Sequence, residues 1–189
     1  MTMLIAGMAL FIGTHLIRAL APEFRADVIS RLGPWTWKGL YSVLALAGFL
    51  LIVAGYGSVR WSSSLLWGPP PPWTRMLAGL VMAPALVLLV AAYLPGRIRA
   101  SLRHPMMLAT IAWAAVHLAA NSRVADLFLF GGFLAWALVV TVAAYRRPRT
   151  VPARRPSLAY DGLAILIGLA AWGWLAYRGH LLLFGMPVI

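Results

Sequence analysis

The chain has 189 residues, 62% of them hydrophobic, and a formal charge of +12 from 16 Lys and Arg against 4 Asp and Glu. It is too apolar for a soluble core with a water-facing shell, and its basic residues fall between apolar runs rather than on one stripe, which argues against nucleic-acid binding. The absence of cysteine excludes disulfides, thiolate metal sites and cysteine nucleophiles.

Six apolar runs follow in order: Thr2–Leu20, Gly39–Gly57, Met76–Leu94, Pro105–Asn121, Val124–Tyr145 and Leu158–Arg178. Each is near the roughly 20 residues that cross a hydrocarbon core about 30 Å thick, although the fourth is short. The expected fold class is all-α: one integral membrane domain over residues 1–189, a bundle of about six transmembrane helices. Ala19-Leu20-Ala21 resembles a leader cleavage site. No basic residue precedes the first run, the run is overlong for a leader, and Pro22 follows the candidate cut, so it reads as a retained helix.

Charge sets the expected orientation. The 1–2, 3–4 and 5–6 connections hold Arg18, Arg25, Arg31, Lys38, Arg97, Arg99, Arg103, Arg146, Arg147, Arg149, Arg154 and Arg155. The other side holds only Arg60, Arg75, Arg123 and Arg178. This split places the first set in the cytoplasm and both termini in the periplasm. Trp35 and Trp37 then fall at the inner interface, and Trp61, Trp67 and Trp73 bracket the outer 2–3 connection. That connection contains Pro69-Pro70-Pro71-Pro72, a stiff extended spacer or lid. Pro84 is expected to kink the third helix, and Gly131-Gly132, Gly168 and Gly173 to permit close helix approach. The apolar tail His180–Ile189 is too short to span and is expected in the outer interface.

Acidic residues are few. Glu23 and Asp27 lie in the first connection, Asp126 near the outer start of the fifth helix, and Asp161 near the inner start of the sixth. No carboxylate pair sits at mid-membrane, which argues against proton-coupled carboxylate transport and paired-acid hydrolysis. Ser62-Ser63-Ser64 has no neighbouring histidine.

Chemistry therefore narrows to histidine. His180 reads as interfacial, and His104-Pro105 as a helix start, since proline suits the first helical position. His15 and His117 lie inside spanning runs, where an imidazole needs a hydrogen-bond partner or a metal. One reading bonds them to backbone or to Thr14 and Thr110. The other makes them axial ligands of a haem held in a bundle core. Thr110, Trp113, His117 and Asn121 share one helical stripe, with His104 well off it. Gly7, Phe11 and His15 share one side of the first helix, with Gly7 offering room for a macrocycle and Phe11 a surface to pack on it. Counting residues puts His15 about 10 Å nearer the cytoplasm than His117, which leaves His15 with His104 as the depth-matched rival pair.

Gly13-Thr14-His15, Arg103-His104-Pro105-Met106 and Trp113-Ala114-Ala115-Val116-His117-Leu118 with Asn121 resemble the NnrU family over Met3 to about Tyr145. That resemblance implies a multi-pass protein of the bacterial inner membrane, associated with denitrification and nitric oxide metabolism. The family is related to the zeta-carotene isomerases, membrane enzymes with haem b. Their haem ligands fall by motif on His15 and His117, with Phe11, Trp113 and His104 as further cofactor-binding candidates. The isomerases of plants carry a cysteine where this chain has Ala114, so a thiolate switch at the iron is excluded here. The implied partners are the lipid bilayer, a small apolar or gaseous ligand, and a respiratory complex. The alternatives are an isomerase-like enzyme, a haem-free assembly factor, and a membrane methyltransferase. Arg103-His104-Pro105 is similar to the last group, but Met107 and Ala109 replace its tyrosine and glycine, and no glutamate follows Glu23.

Overall fold

The computed structural model describes residues 1–148 and 155–188; Arg149 and Arg154 of the basic connection lie outside the described residues. Helices account for nearly all of it. They are α1 (Thr2–Leu20), α2 (Pro22–Leu32), α3 (Pro34–Val59), α4 (Trp73–Ala91), α5 (Arg97–Leu102), α6 (Pro105–Ala120), α7 (Val124–Tyr145) and α8 (Leu158–Phe184). Among the described residues α1, α3, α4, α7 and α8 are long and apolar enough to cross a membrane, and α6 is apolar but has only 16 residues. The chain is an all-α, multi-pass membrane protein.

Proline and glycine punctuate the helices where their chemistry allows. Pro22, Pro34 and Pro105 open α2, α3 and α6, where a missing N–H is harmless. Gly33 turns the chain between α2 and α3 at φ +83°, and Gly185 closes α8 in the left-handed region. α4 continues on both sides of Pro84. Three spans differ from their sequence-based bounds. α3 starts earlier, at Pro34, so Trp35 and Trp37 are helical. α4 stops at Ala91 because the chain turns ahead of Pro95. α8 runs past Arg178 through a π-helical turn at Leu175–Gly179, so His180–Phe184 is its last helical stretch rather than a detached tail. The first and third connections also carry helices, α2 and α5, that apolar runs do not reveal.

The helices form two compact units: Met1–Gly68 with Ser122–Arg146, and Pro69–Asn121 with Arg147–Ile189. In the first unit α1 packs against α3 and α7. The α1–α3 contact is close because glycines face backbone. A Cβ on Gly7 would sit 2.6 Å from Ile52 N, one on Gly48 would sit 2.7 Å from Phe11 N, and one on Gly55 would run into Leu4 N. Two helices this close gain dispersion contact and need no large side chains between them. Gly7 is thus filled by α3 and offers no room for a macrocycle.

The same unit ties the loop after α3 to the start of α7. Leu66 N donates to Ser122 O at 2.8 Å and Val124 N to Ser64 O at 3.0 Å, around an antiparallel bridge of Leu65 with Arg123. Arg123 Nη1 reaches Ser63 O at 2.6 Å. The serine cluster therefore supplies acceptors for a helix start.

In the second unit α4 packs against both α6 and α8. Gly168 of α8 faces Val87 backbone, with a Cβ position 2.6 Å from Val87 Cα, and Trp172 Nε1 donates to Gly79 O at 2.8 Å. Gly173, by contrast, meets nothing within 4 Å, so its predicted packing role is not observed. Outward faces stay apolar: Val43, Leu46, Leu50, Val53, Leu80 and Leu166 are all exposed, as lipid contact requires.

Candidate functional site

His15 sits in the last half of α1, and its ring is fixed on both sides of its chemistry. Nδ1–H donates to Phe11 O, one turn back, at 2.7 Å. A carbonyl can only accept, so in the neutral ring the proton belongs to Nδ1 and the lone pair to Nε2. Phe11 stacks on the imidazole at 4.2 Å and 30°, while Tyr41 and Trp136 meet it edge-on at 5.3 and 5.6 Å. Phe133 closes the group against Phe11 and Trp136. The neighbouring Thr14 is no partner for His15; its hydroxyl donates to Leu10 O at 2.6 Å.

Trp136 carries a further signal. It is buried, and among the described residues its Nε1–H has no hydrogen-bond partner. Buried indole N–H groups normally find an acceptor, so an orphan beside an imidazole is a place where an oxygen-bearing group would be welcome.

His117, in the second unit, repeats the His15 arrangement. Nδ1–H donates to Trp113 O at 2.8 Å, and the Trp113 ring lies 5.4 Å from the imidazole. Asn121 Nδ2 donates to His117 O at 2.8 Å, and Thr110 Oγ1 to Met106 O at 3.0 Å. On the predicted stripe Thr110, His117 and Asn121 thus each bond a carbonyl one turn back, which is how a spanning helix tolerates such groups.

The other two histidines differ. His104 holds the first position before α6 but makes no side-chain cap bond; its carbonyl accepts Met107 N at 3.1 Å and Leu108 N at 3.3 Å. Before it, Arg103 has φ +63°, and His104 N donates to Leu102 O at 2.6 Å, a tight three-residue turn that is costly for a side chain of this size. Arg103 Nη2 also reaches Arg147 O at 3.0 Å. His180 Nδ1–H donates to Met186 O at 2.7 Å and its ring lies against Phe184, so it fastens the chain end onto α8.

Two residues with structural importance carry no functional signal in the sequence. Asp126 is buried and accepts Tyr56 Oη–H at 2.7 Å and Arg123 N at 2.9 Å. Asp161 is buried and accepts Arg97 N at 3.1 Å and Ile98 N at 3.0 Å, closing the start of α5 from α8. Both carboxylates hold helix starts. Among the described residues no three His, Asp or Glu side chains gather as a metal-ion site, whereas axial ligation of a haem asks for only two imidazoles.

Of the sequence-derived candidates, the structure brings Phe11 to His15 and Trp113 to His117. It adds Tyr41 and Trp136, whose approach to His15 no spacing rule foretells. No curated protein and no solved structure matches the chain. A protein-family model described as NnrU protein matches residues 3–188, reaching through α8 beyond the motifs near His15 and His117, and the chain belongs to the NnrU family.

Proposed function

We propose that this chain binds haem b through His15 and His117 in the bacterial inner membrane and acts in nitric oxide or denitrification metabolism. The observation that carries the reading is common to both residues: Nδ1–H held by a carbonyl one turn back, at 2.7 Å for His15 and 2.8 Å for His117. A ligating imidazole is usually oriented this way, because the bond fixes the tautomer and raises the basicity of the other nitrogen. His180 shares the tautomer, but its bond spans six residues and fastens a chain end.

The residues around His15 fit such a group. Phe11, Tyr41 and Trp136 give apolar ring surface on several sides of the imidazole, and the Trp136 Nε1–H is a donor still lacking an acceptor. When bound, haem supplies an iron centre able to carry an electron or hold a small gaseous ligand. The chain's own part is to keep both imidazoles aimed, and to line the His15 ring with aromatic walls. Those walls also favour a small apolar ligand over a charged one.

The test is the visible spectrum of the protein purified from cells supplied with haem precursor, with haem content read as the pyridine complex. Soret and α bands at about one haem b per chain support the reading. A protein that purifies folded with no Soret band, and takes up none when haem is added, overturns it.

A further inference from the structure

We propose that α2 is an interfacial helix that binds the headgroups of anionic phospholipid. The inference does not depend on the histidines. α2 begins one residue after α1 ends and stops one residue before α3 begins. Both neighbours are of membrane-spanning length and they pack against each other, so an 11-residue helix tied to their ends is held at the membrane boundary. At about 1.5 Å per residue it lies over roughly 16 Å of that boundary.

It touches α1 and α3, yet among the described residues no residue of α2 is buried. Phe24, Val28 and Leu32 recur four apart and so form one apolar line, and Phe24 and Leu32 are 56% and 52% exposed. Trp35, the second residue of α3, is 79% exposed. Large apolar side chains left bare beside a bilayer are satisfied by sinking between headgroups.

The charges complete the fit. Arg31 Nε is engaged by Asp27 at 2.9 Å. Arg25 and Lys38 instead lie over aromatic faces, Arg25 at 6.0 Å from Trp37 and Lys38 at 4.4 Å from Trp35. A ring positions a cation without neutralising it, so both keep a full charge for a phosphate. Two cations held beside an apolar line favour an anionic lipid over a zwitterionic one.

The chain contains no cysteine, so Phe24→Cys gives a unique attachment point for an environment-sensitive dye on the full-length protein. The labelled protein is placed in nanodiscs of phosphatidylcholine alone or with added phosphatidylglycerol. With phosphatidylglycerol the dye should shift to the blue, and quenching by aqueous iodide should fall at least about twofold, an effect that 0.5 M salt weakens. Arg25→Gln with Lys38→Gln should abolish the lipid dependence, and Arg31→Gln should largely keep it. Equal shielding in the two lipids, or a dependence that survives the double substitution, overturns the proposal. A dye exposed in both lipids and shielded only by an added soluble protein would assign the face to a protein partner instead, and would overturn it equally. If the double variant fails to fold, Arg25→Gln alone against Arg31→Gln makes the same comparison, with the Arg25 variant expected to show the weaker lipid response.

Discussion

Tyr56 of α3 donates its hydroxyl hydrogen to the Asp126 carboxylate of α7 at 2.7 Å, joining residues 70 apart in sequence. Asp126 is also the N3 residue of α7, where it accepts Arg123 N at 2.9 Å, and it is 4% exposed. Among the described residues this buried carboxyl has no salt-bridge partner, and a phenol and a backbone N–H donate to it at a helix start. It is a knot in the first unit, and the bridge of Leu65 with Arg123 is its neighbour.

Tyr56→Phe removes the phenol and leaves one carboxylate oxygen short of a donor in a buried place. The expected loss is about 1–3 kcal/mol of unfolding free energy in detergent, read from denaturant titration of helical signal. A Trp136→Phe variant is the useful contrast. Among the described residues its indole N–H has no partner to lose, so the change orphans no polar group, costs only buried bulk, and should cost less than Tyr56→Phe. Equal losses in the two variants would show that the Tyr56–Asp126 bond is not what stabilises this end.

The α1–α3 contact predicts its own failures. Gly48→Leu places a side chain into Phe11 backbone and Gly55→Leu does the same at Leu4, so both should break the pairing and lower the yield of folded protein. Gly173→Ala meets open space and should be neutral within about 0.5 kcal/mol, with a small gain in helix propensity. Thermal unfolding followed by size-exclusion chromatography separates the two classes.

These glycines also mark how far the sequence can be read. Span positions are legible because apolar length is a local property, and Pro105 as a helix start follows from proline chemistry alone. The partner of a glycine is not local. Gly7 reads as space beside His15 until α3 is seen to occupy it, and Gly173 reads like Gly168 until Val87 is found at only one of them. His15 and Phe11 are four apart and meet by helix geometry. Tyr41 and Trp136 arrive from α3 and α7, and only tertiary packing puts them there. Asp161 looks like a spare acid because its capping bonds to Arg97 and Ile98 cross long separations, and Asp126 because its bond to Tyr56 does.

Orientation rests on the basic residues. Reporter fusions after Arg31 and Arg99 should give cytoplasmic signals, and a fusion within Pro69–Pro72 a periplasmic one. With the fusion after Arg31 cytoplasmic, a cytoplasmic signal from the proline segment would mean that α3 does not cross.

The methyltransferase alternative has a chemical requirement that the second unit does not meet. Within that unit Asp161 is the sole acidic residue, and it is committed to Arg97 N and Ile98 N. That unit has no other acidic side chain to take the ammonium or ribose of S-adenosylmethionine. Calorimetry should show no saturable binding; a micromolar dissociation constant would put the methyl-donor reading ahead of haem.

The measurement that bears most directly on haem ligation is the electronic spectrum of four alanine variants purified at equal expression. If His15 and His117 hold the iron, His15→Ala and His117→Ala each lose haem or turn a six-coordinate low-spin spectrum high-spin. His104→Ala should spare the spectrum, since that residue serves α6 through its backbone and makes no side-chain cap bond. His180→Ala should spare it too, while loosening the Met186 contact. Loss of haem in the His15 and His104 variants, with His117→Ala unchanged, would contradict the assignment and make His104 the partner of His15.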